Sequence, residues 1–202
     1  MTDIRALDRR ALKITETIVG QVSADQLDLP TPCSEWALGQ LLAHMAGQNH
    51  GFAAAARGEA SDVSVWADRP VGAGPGAAFA ESAAVVTAAF AEDGVLGRRF
   101  WLPEIRTGLA FPAPTAISFH FIDYVVHGWD VARSIGVPAE FDADLLDAAA
   151  PIAGAVPDGP SRQGTGAAFQ PGVKAATGAP ALDRIVATLG RNPDWPDGDA
   201  RR

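Results

Sequence analysis

TAISFHFIDYVVHGWDVARSIG, residues 115–136, decides how the rest of the chain is read. It contains no proline, opens on a threonine and closes on Gly136, a residue suited to the left-handed cap of a helix, so it predicts a helix over about residues 115–135. On a helical wheel His120, Asp123, His127, Asp130 and Ser134 fall on one polar strip, whereas Ile122, Val125, Val126, Trp129 and Ile135 fill the apolar side. The strip either faces water or lines a site. It uses His and Asp but no Lys or Glu, which is unusual for a face that is merely solvated. Asp123 and His127 stand four apart, with Cβ atoms about 6 Å from each other, and that spacing suits two ligands of one ion held at roughly 2.0 to 2.2 Å. Two His and two Asp are equally compatible with an ordinary amphipathic face. Arg133 sits nearer the apolar side, where it can reach Asp130 as a structural ion pair.

Upstream, Ile4, Leu7, Ala11, Ile14 and Ile18 recur at spacings of three and four, the stripe of an amphipathic helix that ends near Gly20. Pro32 then marks a stop and Ser34 an N-cap, which predicts a second helix over about residues 35–57 with the stripe Leu38, Leu41, Leu42, Met45 and Phe52. His44 flanks that stripe, and Gly47 and Gly51 lie along its own side, leaving room for a ligand or for another helix. A lone His beside a core stripe is also what a hydrogen-bonded core residue looks like. His50 reads as a surface residue.

Residues 58–76, rich in Gly, Pro and Asp, read as a long loop, followed by a short Ala-rich helix over about residues 77–92. Residues 95–111 mix turn residues with apolar ones and suggest an irregular hairpin or an extended crossover. Beyond Gly136, a helix is expected over residues 142–155, a loop over 157–180, and a short helix in ALDRIVATLG before a frayed tail. There is no internal repeat and no linker. The expected organisation is a helical bundle domain over residues 1–140 that carries the site, with residues 141–202 as an extension packed on it.

Bulk properties narrow the function. A chain of 202 residues that is 48% hydrophobic sustains a full core. A net charge of -8 argues against nucleic acid as a partner, because phosphate neutralisation needs clustered Lys and Arg. No apolar run approaches the roughly 18 residues of a membrane span, and the first residues mix charge with apolar groups unlike a signal peptide, so a cytoplasmic protein is expected. The one cysteine, Cys33, excludes an internal disulfide and a multi-cysteine zinc site, so a metal would be held by His and carboxylate. Cys33 beside Pro32 has no assigned base and reads as a structural thiol. Gly72, Gly74 and Ala77 in GAGPGA match a loose dinucleotide fingerprint, but no strand precedes them and the match is set aside.

Four segments in order, PTPCSEW (30–36), LLAHMAGQN (41–49), DYVVHGWDVARSIG (123–136) and ALDRIVATLGRNP (181–193), resemble the superfamily of DinB-like proteins and mycothiol-dependent maleylpyruvate isomerase in its actinobacterial form. The resemblance covers most of the chain and is weakest over residues 58–76. It implies a mainly α, DinB-like four-helix bundle with extra short helices and a C-terminal extension. It further implies a divalent metal, commonly zinc, held by a His on the second helix and by a carboxylate and a His four apart on a later one. The matching positions are His44, Asp123 and His127. The isomerase has Glu where this chain has Asp123, one methylene shorter at the same charge, which separates metal binding from the isomerase activity itself. Three protein ligands leave a coordination position open, as in catalytic zinc sites, and the same set accepts iron or nickel. Asp130 is a candidate to support a ligand from behind, and His120, on the same strip as Asp123, is an alternative ligand.

The function implied is a metal-dependent thiol transferase or isomerase-like enzyme that uses mycothiol and a small-molecule substrate. Its catalytic residues beyond the ligands are not marked in the sequence, and a homodimer is common among similar proteins. The alternatives are a metal-binding module without catalysis and a helical domain without metal.

Overall fold

Asp3 opens the first helix by accepting the Arg5 backbone N–H at 3.0 Å, satisfying one of the donors that a helix start leaves unpaired. The computed structural model describes residues 3–33, 36–60, 62–164 and 167–196; the expected Ser34 cap and the last residues of the tail lie outside these. Helix α1 runs Ile4–Val19 and buries two stripes rather than one. Leu12 and Val19, with Asp8 and Thr15, turn into the bundle, and Leu7 and Ala11 turn toward the C-terminal helices.

Helix α2, Leu38–Arg57, begins three residues later than the sequence suggests. The reason is a bridge between Pro30 and Ala37 and a hydrogen bond from Leu38 N–H to the Leu29 carbonyl, which tie the residues just before the helix into non-helical pairing. Helix α3, Pro75–Phe90, starts on a proline, whose missing N–H costs nothing in a first turn. The expected hairpin is a short antiparallel pair, β1 (Arg99–Trp101) and β2 (Ala110–Pro112), with Phe100 opposite Phe111. Helix α4 covers Ala113–Ile135 and is capped by Gly136 at φ 72°. Helices α5 (Ala143–Ala155) and α6 (Ala181–Thr188) follow.

Helices α1 to α4 form the bundle, with α1 against α3 and α4, and α2 against α3 and α4. The mainly α, DinB-like fold expected from the sequence is what the chain adopts. One core, built around Leu38, Leu41, Phe79, Phe100 and Ile117, fills the bundle. A second lies on the other side of α4, where Phe121, Val125, Val126 and Trp129 meet Leu145 and Ala149 of α5 and Ile185 and Val186 of α6. Helix α4 is therefore enclosed on both sides. Most of its polar strip is not wet: His120, His127 and Asp130 are buried, and Asp123 and Ser134 are half-buried. Among the described residues, no helix is long and apolar enough to cross a membrane.

Two loop features position the rest. The segment after α2 folds back through a 3-10 turn, Val63–Trp66, and lays Trp66 on Gly51 and the Ala67 carbonyl on Gly47. A Cβ on Gly51 would sit 2.2 Å from the Trp66 ring, and one on Gly47 would sit 2.6 Å from the Ala67 oxygen. The room those glycines leave is thus filled by the chain's own loop, not by a ligand or another helix. In the C-terminal extension, the buried Arg162 donates to the carbonyls of Val156 and Pro157 at 2.9 Å and of Thr188 at 2.7 Å, pinning the loop after α5 to the end of α6.

Candidate metal centre

His44 faces α4 from the middle of α2, and Asp123 and His127 occupy successive turns of α4. One ligand atom from each of the three lies within 4.8 Å of the others. His127 Nε2 stands 3.4 Å from Asp123 Oδ1, and the His44 and His127 rings meet edge to face at 5.9 Å between centroids. The two helices are held in this register by Tyr124, whose hydroxyl donates at 2.6 Å to the carbonyl of Met45, 79 residues earlier. Each of these two residues follows a candidate ligand, so the bond fixes His44 against Asp123. Burial, followed by the neighbouring His127, pushes the His44 imidazole below its ordinary value and favours the neutral ring that a metal requires.

Behind the ligands stand carboxylates. Asp130 Oδ2 accepts a hydrogen bond from His127 Nδ1 at 2.9 Å, which leaves Nε2 as the nitrogen on the Asp123 side. Asp68 Oδ1 lies 3.5 Å from His44 Nδ1. Burial alone would raise the Asp130 carboxyl, but the Arg191 charge and the His127 contact hold it below the usual range. Arg133 does not make the ion pair the sequence suggests. It reaches the carbonyls of Pro193 and Trp195 and lies over the Trp129 ring, and Arg191 takes Asp130 instead.

His120 is on the same strip but turned elsewhere. Its Nδ1 lies 2.6 Å from Asp8 Oδ1 and its Nε2 3.1 Å from Asn49 Oδ1, so both ring nitrogens are engaged away from the other two histidines. The ring packs among Phe52, Phe90 and Tyr124.

Several residues around the ligands have roles that the sequence did not assign. Trp36 walls one side, its ring 4.4 Å from His44 and 6.3 Å from His127. Gln48, one turn after His44, donates to Glu104 Oε2 at 2.6 Å and so ties the loop between β1 and β2 to the ligand-bearing helix. Cys33 is partly buried rather than sealed, and its thiol interacts electrostatically with Arg191.

Partial desolvation, and then the charges of Asp68 and Asp123, raise the Glu104 carboxyl above its ordinary value. A carboxyl raised by folding favours the fold while protonated, below its unfolded value, and loses that contribution as the pH climbs through the folded one. Glu104→Gln, in metal-free protein, is therefore expected to raise the melting temperature slightly at neutral pH and to lose that gain in acid. Thermal melts of both proteins across the acid-to-neutral range check this; a gain that persists in acid would contradict it.

The sequence matches the family described as mycothiol maleylpyruvate isomerase N-terminal domain over residues 9–132. The chain belongs to this family. All three clustered side chains fall inside the matched segment, and Arg191 falls outside it. Two curated proteins of Mycobacterium tuberculosis, uncharacterized protein MT0763 of strain CDC 1551 / Oshkosh and uncharacterized protein Rv0738 of strain H37Rv, are each 30% identical over 188 residues, covering 91% of this chain and 94% of their own length. No solved structure matches the chain.

Proposed function

We propose that this family member is a metal-dependent enzyme working with a low-molecular-weight thiol of the mycothiol kind, in thiol transfer or thiol-assisted isomerisation on a small-molecule substrate. The observation that carries the proposal is the convergence of His44, Asp123 and His127 within 4.8 Å, in a family named for a mycothiol-dependent reaction. The donor set fits a divalent ion: two imidazole nitrogens and one carboxylate oxygen, with no fourth His, Cys or acidic side chain in the cluster among the described residues, are the ligand types of open catalytic sites, and zinc, iron and nickel all accept them. Bound there, the ion would supply Lewis acidity and lower the pKa of a coordinated thiol.

The chain's own groups do the rest. Asp130 orients His127, Tyr124 sets the spacing of the two helices, and Trp36 screens one flank from water. Asp68 and Glu104 make the surroundings acidic. Asp123, one methylene shorter than the glutamate of the isomerase, makes thiol chemistry the substance of the proposal rather than maleylpyruvate as its substrate. A cytoplasmic location is part of the same proposal, supported by the absence, among the described residues, of a helix long and apolar enough to cross a membrane.

The test is to load the protein with cobalt and titrate mycothiol while recording the visible and near-ultraviolet spectrum. A sulfur-to-cobalt charge-transfer band, followed by turnover on a panel of electrophiles, is expected. Bound cobalt whose spectrum ignores saturating thiol would leave a metal-binding module without this chemistry.

A further inference from the structure

We infer that Arg191, supplied by the C-terminal extension, is a positioning residue for the metal centre: it clamps Asp130 so that Asp130 holds His127 with Nε2 toward the other two ligands. The inference rests on the metal reading above but concerns a residue beyond the family's matched segment. Its basis is a buried chain of contacts. The Arg191 guanidinium, 2% exposed, places Nη2 3.2 Å from Asp130 Oδ2 and Nε 3.4 Å from both carboxylate oxygens. Asp130, fully buried, accepts from His127 Nδ1 at 2.9 Å through that same Oδ2.

The backbone delivers the arginine for this contact. Helix α6 ends through Gly190 at φ 84°, where a Cβ would strike the Gln170 carbonyl at 2.3 Å, and the Arg191 N–H returns to the Val186 carbonyl at 2.9 Å. Besides Asp130, the guanidinium among the described residues donates to the Leu189 carbonyl at 3.4 Å, lies over the Phe169 ring and interacts electrostatically with the Cys33 thiol. A buried arginine is costly to desolvate, and apolar residues closing the same space are often as stable, so this one is poorly explained as packing. Its geometry instead fits the support that metal-bound histidines receive, in which a carboxylate fixes the ring's tautomer and direction and the carboxylate is itself held by hydrogen bonds.

Arg133 supplies the control, because it also ties α4 to the tail, through the Pro193 and Trp195 carbonyls, without being hydrogen-bonded to Asp130. Zinc affinity and the visible spectrum of the cobalt form would be measured for wild type, Arg191→Gln, Arg191→Lys, Arg133→Gln and Asp130→Asn, with circular dichroism to check folding. The expected result is a loss of about 10- to 100-fold in affinity and an altered cobalt spectrum for Arg191→Gln and Asp130→Asn, with partial rescue in Arg191→Lys and an unchanged Arg133→Gln. A folded Arg191→Gln with wild-type affinity and spectrum overturns the inference, as does an equal loss in Arg133→Gln, which would mean that the arginines only fasten the tail. Should Arg191→Gln fail to fold, Asp130→Asn decides: wild-type binding there overturns the clamp. Wild type that binds neither metal removes the metal reading itself, an outcome distinct from wild type that binds normally beside an unaffected Arg191→Gln.

Discussion

His44→Ala and His127→Ala are each expected to abolish the divalent metal content that elemental analysis should find in wild-type protein grown in supplemented medium. The three side chains come from two helices and none duplicates another, so either substitution leaves two donors. The loss in affinity should exceed the roughly 10- to 100-fold caused by removing a partner one step behind a ligand. His120→Ala is the informative companion, since both nitrogens of His120 are committed to Asp8 and Asn49 and its loss should leave the metal in place. Metal retained in His44→Ala, or lost in His120→Ala, would assign the ligands differently. Wild type that takes up no metal would return the cluster to the role of a buried polar seam.

The largest expected effect on stability lies away from that cluster, at Asp8. Its carboxylate is buried 2.6 Å from His120 Nδ1, and the network continues from His120 Nε2 to Asn49 Oδ1, from Asn49 Nδ2 to Ser82 Oγ at 2.9 Å, and from Ser82 to the Phe79 carbonyl. Both His120 contacts are to oxygen acceptors, so removing Asp8 strands a hydrogen-bearing ring nitrogen inside the core. Asp8→Ala should cost about 3 kcal/mol, the scale of breaking a buried, hydrogen-bonded pair from one side. Urea denaturation of Asp8→Ala beside the surface control Asp147→Ala measures it. Losses of equal size in the two would show that the network contributes little.

The three long helices were readable because each carries a periodic apolar side and ends at a glycine: Gly20, Gly58 and Gly136 all end helices in the structure. Asp123 and His127 were legible as a pair because four residues on a helix fix a common face whatever the surroundings. His44 entered through the resemblance, since nothing in its local pattern separates a ligand from a core histidine. His120 shows the limit of the wheel. It shares the strip with His127, yet α1 brings Asp8 to it, and no local pattern in α4 reports what α1 presents. A signal for Asp8 did exist, since Asp8, Leu12, Thr15 and Val19 lie on one face of α1, where a carboxylate among apolar residues implies a buried partner. Trp36 and Arg191 lie in segments that carry the resemblance, yet their roles were not legible, and Glu104 carried no signal, for a plainer reason: loops and helix ends deliver all three, and their placement depends on turns that lack periodicity.

The loop that Arg162 pins carries a last consequence. The carbonyls of Val156 and Pro157 at its start, and of Thr188 at the end of α6, are satisfied by one guanidinium rather than by a ladder of amides, so the path of the segment is held by a side chain. Order and hydrogen-exchange protection part company there. Apart from amides that donate hydrogen bonds, such as those of Arg162, Gln163, Gly172, Val173 and Ala179, the segment should exchange its amide protons quickly even though its path is fixed, and a measurement that equates slow exchange with structure would miss it.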